Sequence, residues 1–187
     1  MNDKELLSWL EKATLGDESA FQLIYHATHQ DVYRTVTFLV YNKQDIADIV
    51  NEVYMRMWRS FQKYDPNRTF RFWLHGITVR LVQDWKRKTW RRIRLFERNR
   101  QMTCEQFDWT DKAVLQSVMQ HDLFSLVRQL SYKLRVVVIL CYFHDYVLEE
   151  IADMLQIPVG TVKSRHHLAL KELRKRFDMT GGDANVH

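Results

Sequence analysis

The stretch VLEEIADMLQIPVGTVKSRHHLALKELRK, residues 147–175, decides the fold of the C-terminal half. Its first segment contains the small residue Ala152, a turn follows at Gln156, and the aliphatic residue Val162 comes six positions later. A small residue, a turn and an aliphatic residue at this spacing are typical of a helix-turn-helix. Pro158 fits the start of the second helix, because the N–H that it lacks would have no partner there. The pattern therefore predicts two helices that cross closely.

The second of these helices is basic where it begins. Its outward positions are predicted to be Thr161, Lys163, Ser164, Arg165 and His167. Short hydroxyls at a helix start can contact phosphate or bases, and Lys and Arg can contact phosphate or guanine. We therefore predict that this end of the helix binds duplex DNA. A solvated helical hairpin with a basic face is the alternative interpretation.

The rest of the 187-residue chain also favours helices. Glycine and proline are scarce, at five and two residues, and no run of alternating polar and apolar residues indicates a strand. Helices are predicted near 3–15, 18–29, 31–42, 44–62, 69–95, 112–129, 132–143, 147–155 and 159–177. The predicted fold class is all-α, with two helical domains joined by a linker and a helix-turn-helix in the C-terminal one.

The helical periodicity breaks in ERNRQMTCEQFDWTDK at 97–112, and this break separates two domains. No apolar run approaches the ~18 residues of a bilayer-spanning helix. The N-terminus lacks the apolar segment of a signal peptide. We expect a cytoplasmic protein without stable membrane insertion. The predicted divisions are a first domain at 1–96, a linker at 97–120, a second domain at 121–178 and a flexible tail at 179–187.

The net charge of +5 is concentrated in the middle of the chain. Residues 56–100 carry fourteen basic and three acidic side chains, whereas 1–55 and 101–187 are both net acidic. A concentrated basic segment favours a polyanionic partner, because neutralised phosphates release counterions. Aromatic rings such as Trp85 and Trp90 interleave with the cations, a combination that suits single-stranded or opened nucleic acid. Core aromatics beside merely solvated cations are the alternative.

The helix predicted at 44–62 has one apolar stripe and one acidic face. The stripe recurs at three- and four-residue steps through Ile46, Ile49, Val50, Val53, Met57 and Phe61. On the other side lie Asp45, Asp48 and Glu52. Three such carboxylates can bind a divalent metal, but a second acidic cluster to complete a hydrolase site is not apparent. A solvated face and a protein-docking face are the other interpretations, and docking is favoured.

Taken in order, these segments resemble the extracytoplasmic-function (ECF) sigma factors of bacteria. The likeness covers roughly residues 16–96 and 123–177, and its motifs are GDESAFQLIYHATHQDVYRTV, DIADIVNEVYMRMWRSFQKYD, FRFWLHGITVRLVQDWKRK and EEIADMLQIPVGTVKSRHHLALKELR. It implies sigma regions two and four, binding to core RNA polymerase, and recognition of promoter DNA at its −10 and −35 elements. It also implies that an anti-sigma protein often holds such a factor inactive. We expect no enzyme activity, no cofactor and no metal.

The resemblance assigns roles to three sets of residues. Those that match the polymerase-binding helix, which docks on the clamp helices of the largest subunit, are Asp45, Asp48, Glu52, Met55, Arg56 and Arg59. Those that match the segment that melts and captures the −10 strand are Arg80, Asp84, Trp85, Lys86, Arg87, Lys88 and Arg91. Those that match the reader of the −35 duplex are Thr161, Lys163, Ser164, Arg165 and His167. The second domain is also implied to contact the polymerase flap.

Some positions depart from the family pattern. Arg80 stands where asparagine is common, and Gly76 stands where a basic residue is common. Val147 stands where a serine usually caps the first helix of the helix-turn-helix, which makes Asp145 a candidate cap for a longer helix. Two other functions stay open from the residues alone. One is an autonomous helix-turn-helix transcriptional regulator, and the other is a metal-dependent hydrolase that uses the acidic face.

Overall fold

The structure is a computed structural model that describes residues 3–97 and 118–181. Over these ranges the chain forms helices and no strands, so the predicted all-α fold is confirmed. None of these helices combines the length and the apolar character that a bilayer crossing requires. Most of the predicted linker and tail lies outside the described residues. The helices are α1 (Asp3–Thr14), α2 (Glu18–Leu39), α3 (Lys43–Arg59), α4 (Phe70–Glu97), α5 (Val118–Gln129), α6 (Tyr132–Tyr142), α7 (Leu148–Leu155) and α8 (Val159–Gly181).

Helices α1 to α4 pack into the first bundle. Asp17 starts α2 by accepting the backbone N–H groups of Ser19 and Ala20, at 2.9 and 3.2 Å. Asn42 starts α3 in the same way, by accepting the N–H of Gln44 at 3.0 Å. The apolar stripe predicted for this segment is buried along its whole length, so the periodicity is confirmed. Because this stripe is buried, the opposite side of α3 is the outer face of the helix.

Helix α2 corrects one expectation. We predicted two helices at 18–29 and 31–42, but α2 runs unbroken from Glu18 to Leu39. Neither Gln30 nor Asp31 is a helix breaker, since the chain has no glycine or proline at this point. The buried face also continues across it, through Thr28 and Val32. Packing against α3 and α4 therefore stabilises the helix across the polar residues Gln30 and Asp31.

Helices α5 to α8 form the second bundle, and α7 and α8 are the predicted helix-turn-helix. Ala152 and Val162 are both buried where the two helices cross. Gln156 ends α7 in the left-handed backbone conformation, with φ 53° and ψ 50°. The N–H of Ile157 bonds to the carbonyl of Ala152 at 3.0 Å, and that of Gln156 bonds to the carbonyl of Asp153 at 3.2 Å. These bonds are a Schellman motif, which turns the chain sharply into α8.

The start of α7 corrects a second expectation. The helix begins at Leu148 with Val147 as its N-cap residue, so the prediction that Asp145 caps a longer helix is wrong. Asp145 instead has a left-handed backbone, with φ 57°, and lies in the loop before the helix. The N–H of Val147 is satisfied from inside the helix by the carboxylate of Glu150, at 3.0 Å. Half of a capping box thus replaces the missing serine.

The two bundles pack against each other, with α2 on α6 and α4 on α7. Tyr41, which follows α2, lies between two arginines of the second bundle. The guanidinium carbons of Arg128 and Arg135 are 5.0 and 4.6 Å from its ring centroid. Its hydroxyl accepts from Arg135 and donates to the Arg128 carbonyl. Farther along, Arg68 and Asp153 form an ion pair. We call this packing of the two domains the closed arrangement.

Candidate nucleic-acid interface

The predicted −35 residues lie together on the first turns of α8. Lys163, Ser164 and His167 are exposed, and Thr161 and Arg165 are half-buried. The ammonium group of Lys163 is 3.6 Å from the carboxylate of Glu149 on α7, and both side chains remain mostly exposed. The Ser164 hydroxyl donates to the carbonyl of Gly160 at 2.9 Å. This surface is formed and open to solvent.

The predicted −10 residues lie along α4, and the second domain covers part of them. Arg87, Lys88 and Arg91 are exposed, whereas Arg80 and Lys86 are half-buried. Arg80 donates to the carbonyl of Met154 on α7 at 3.4 Å, and burial lowers the pKa of its guanidinium. The ammonium group of Lys86 lies 4.8 Å from the ring centroid of Tyr132 on α6. The pKa of this lysine is lowered mainly by burial and further by the positive charge of Arg135.

Asp84 and Trp85 are held by the first domain itself. The carboxylate of Asp84 lies 3.6 Å from Arg56 of α3 and 4.0 Å from Arg87, so it links two predicted surfaces. Trp85 is half-buried against the hydrophobic core. Trp90, by contrast, is 62% exposed. Trp90 was not among the predicted site residues, and its exposed ring is accessible for stacking.

A cleft of about 520 Å³ lies between the second half of α4 and the second domain. The side chains that line it, among the described residues, include five cations and no carboxylate. Four of the five come from predicted or neighbouring basic positions, but Lys133 of α6 has no motif around it and was missed. The cleft brings some of the predicted −10 residues and one predicted −35 residue, Arg165, onto one positive surface. Its cations are Lys86, Arg87, Arg91, Lys133 and Arg165.

The predicted polymerase-binding residues lie on α3, away from the buried stripe. Asp48, Met55, Arg56 and Arg59 are exposed, Met55 to 50%, while Asp45 and Glu52 are half-buried. Trp58 is also exposed on this helix, a feature that the charge pattern did not reveal. In residues 3–97 and 118–181, the group of three potential ligands that converges is Asp31, His75 and His144.

Two family models match the two bundles. Sigma-70 region 2 matches residues 24–92, and sigma-70 region 4 matches residues 120–173. The RNA polymerase sigma factor SigV of Bacillus subtilis is 32% identical over 145 residues, which cover 78% of this chain and 83% of SigV. The ECF RNA polymerase sigma factor SigX of the same organism is 28% identical over 173 residues, which cover 87% of this chain and 86% of SigX.

The chain belongs to the ECF sigma factors. It is an RNA polymerase sigma factor, and the match of region 2 to its first half does not favour an autonomous helix-turn-helix regulator. The fold of this sigma factor is also that of solved relatives. Sigma factor RpoE from Bartonella quintana, in complex with the anti-sigma factor NepR, has a TM-score of 0.68 at 19% identity, over 83% of this chain and 94% of that one. CnrH, in complex with the cytosolic domain of CnrY, has a TM-score of 0.64 at 18% identity, over 95% and 99%.

Two departures of this sigma factor from the family pattern are physically coupled. A Cβ added at Gly76 would lie 3.3 Å from both terminal nitrogens of Arg80, closer than ordinary van der Waals contact. The guanidinium of Arg80 therefore occupies the space over Gly76. A side chain at position 76 would therefore compete with Arg80 for this space.

Proposed function

We propose that this sigma factor divides promoter recognition among three surfaces. The exposed face of α3 binds the clamp helices of core RNA polymerase, with Glu52 near its centre. The second half of α4 captures the −10 strand, and the start of α8 reads the −35 duplex. The two working units correspond to residues 1–96 and 121–178. We further infer a cytoplasmic location, because the proposed partners are core polymerase and promoter DNA.

The observation that carries this proposal is the partial covering of α4 in the closed arrangement. Arg80 and Lys86 contact the second domain, so the −10 surface is incomplete until the domains separate. The contacts that cover it include the partly exposed ion pair of Arg68 and Asp153, and such pairs contribute little stability. Binding of α3 and of the second domain to separate sites on polymerase would therefore suffice to open the molecule.

Promoter melting in this scheme requires no chemical step by the sigma factor. Unstacking a base costs a few kcal/mol, and contacts to a flipped base and to the backbone offset that cost. Cations beside an exposed ring, as at Arg91 and Trp90, are suited to hold an unpaired strand. We therefore propose a binding protein without catalytic residues.

We also infer that an anti-sigma protein binds this factor in the cationic cleft between the domains. RpoE of Bartonella quintana, whose fold this chain shares, was solved in complex with the anti-sigma factor NepR. An acidic surface inserted here would meet Arg87, Lys133 and Arg165 together and would block both promoter-reading surfaces.

The decisive experiment is reconstituted transcription with core polymerase on a pool of genomic fragments, with the start sites read by sequencing. We expect start-site-specific transcripts only when the sigma factor is added, and weak binding of duplex DNA by the sigma factor alone. Specific duplex binding without polymerase, together with no stimulation of transcription, would contradict the proposal. Core polymerase without sigma factor is the control.

A further inference from the structure

A buried cluster of two histidines and one carboxylate lies where the two domains meet. Asp31 comes from α2, His75 comes from α4, and His144 lies in the loop between α6 and α7. The side chains of His75 and His144 are only 3% and 4% exposed. One nitrogen or oxygen from each of the three residues lies within 4.8 Å of the other two. The cluster exists only in the closed arrangement, because it draws on both domains.

The spacing of these atoms suits a small metal ion. His75 Nε2 is 3.1 Å from one carboxylate oxygen of Asp31, and His144 Nδ1 is 3.8 Å from the other. Ligand atoms bound at 2.0–2.1 Å to a tetrahedral zinc ion lie about 3.3 Å apart, between these two values. Two imidazoles and one carboxylate are ligands that zinc and its neighbours in the first transition series accept.

Each of the two histidines is also oriented by a hydroxyl group on its other ring nitrogen. His75 Nδ1 lies 2.8 Å from the hydroxyl of Tyr146, and His144 Nε2 lies 2.8 Å from that of Thr35. Histidines that bind metals almost always have such a partner, which fixes the ring and the tautomer. The second nitrogen of each ring therefore faces Asp31. His75 Nε2 forms a hydrogen bond with Oδ2 at 3.1 Å, which a bound ion would replace, and His144 Nδ1 faces Oδ1 at 3.8 Å.

The hydrogen bonds around His144 leave a place for a cation. The Thr35 hydroxyl donates to the carbonyl of Asp31 at 2.8 Å, so it accepts from His144 Nε2. With its Nε2–H donated to Thr35, a neutral His144 ring carries its lone pair on Nδ1. Arg71 binds Oδ2 of Asp31 at 3.1 Å, while Oδ1 is the oxygen nearest this lone pair. Two electron-pair donors thus face each other across a gap wider than a hydrogen bond.

We propose that Asp31, His75 and His144 bind a divalent transition-metal ion of the zinc class, and that this ion fastens the two domains in the closed arrangement. An ion that binds only the closed form raises the ratio of closed to open molecules by a factor of 1 + [L]/Kd. At an ion concentration of 100 Kd, the bias is about a hundredfold. The consequence for promoter use rests on the proposed function, whereas binding of the ion does not.

The first test is titration of the tag-free full chain, stripped with a chelator and desalted, with zinc chloride in a calorimeter. Cobalt(II) replaces zinc in a parallel titration that records the visible absorption of a low-coordinate site. We expect one ion per chain, and loss of stoichiometric binding in His144→Asn. The matched control is His26→Asn, since His26 is exposed on α2 away from the cluster. Failure to bind one ion, or equal affinity in His144→Asn, would overturn the proposal.

Two further measurements do not depend on removing a ligand. Thr35→Val keeps all three ligands and deletes one outer partner, so we expect affinity to fall by about 10- to 100-fold. On the unmutated chain, zinc should shift the imidazole ¹⁵N resonances of His75 and His144, and should slow hydrogen exchange in α7. Shifts confined to the adjacent pair His166 and His167 would identify adventitious surface binding. Binding without protection of α7 would overturn the fastening of the domains.

Discussion

Helices α4 and α8 both carry cations proposed to meet promoter DNA, but the closed arrangement treats them differently. On α8, Lys163 and His167 are open to solvent, and the nearest ion pair joins neighbouring helices of the same domain. On α4, Arg80 and Lys86 are packed against the other domain. The difference indicates that domain closure restricts the −10 surface more than the −35 surface.

This difference implies an order of events. Under the proposed function, the preformed −35 surface can bind duplex DNA as soon as polymerase positions it, whereas the −10 surface also needs the domains to separate. On this proposal, part of the free energy of polymerase binding goes into uncovering α4. The surface on α8 needs no such step.

Glu52→Lys should weaken polymerase binding, on which the proposed roles of both DNA-binding surfaces depend. Reversal of a charge within the proposed docking face should weaken the complex with core polymerase by about a hundredfold, because like charges brought together cost several kcal/mol. The affinity can be measured by fluorescence anisotropy of a labelled sigma factor. Glu11→Lys, an exposed reversal on α1, is the matched control and should bind normally. A normal complex with Glu52→Lys would remove α3 from the interface.

Replacement of Lys86, Arg87 and Lys88 together by alanine should impair the −10 surface alone. Open-complex formation should fall, and the slope of log affinity against log salt should flatten by about 2, given about 0.7 per phosphate on single strands. Permanganate footprinting across a salt series measures both effects. The control is the alanine triple at Lys171, Arg174 and Lys175, three exposed cations farther along α8. An unchanged slope would mean that the α4 cations do not meet phosphate.

Arg165→Ala should impair the −35 surface alone. Transcription from promoters that depend on a −35 element should fall by about tenfold, the lower end for loss of one base-edge contact. Polymerase affinity should not change, because α3 is untouched. Run-off transcription and anisotropy report the two quantities, with Lys171→Ala as the control. Equal losses in both would count against a DNA-reading role.

Asp153→Asn should loosen the closed arrangement slightly. An ion pair this exposed contributes about 0.2–1 kcal/mol, so the ratio of open to closed molecules should rise by at most about fivefold. The measurement is binding of a −10 single-stranded oligonucleotide without polymerase. Glu149→Gln removes an ion pair inside the second domain and should have no effect on this binding. If both variants bind the strand equally, the contact of Arg68 with Asp153 does not limit access to α4.

The elements that local spacing specifies were predictable from the sequence. The buried stripe of α3 follows from residues three and four positions apart, since one helix face repeats at that interval. The helix-turn-helix follows likewise from Ala152 and Val162, which lie close along the chain. The outer residues of α3 and α8 could be placed on their faces for the same reason. Their roles remain predictions that the experiments above address.

No local pattern in the sequence predicts how the two domains pack against each other. Tyr41 and Arg135 are 94 positions apart, and neither lies in a motif that names the other. Asp31, His75 and His144 come from three separate elements, and no local motif links them. Long-range contacts of this kind depend on how whole helices dock, which periodicity does not encode.

The guanidinium of Arg135 has a consequence for how readily the molecule changes shape. This residue is 1% exposed, and within the described part of the chain its Nε makes no hydrogen bond. When the ring of Tyr41 withdraws, water can reach this group, and the regained hydration offsets much of what the lost contacts supplied. Hydration of the Arg135 guanidinium on separation therefore reduces the free energy that opening of the closed arrangement costs.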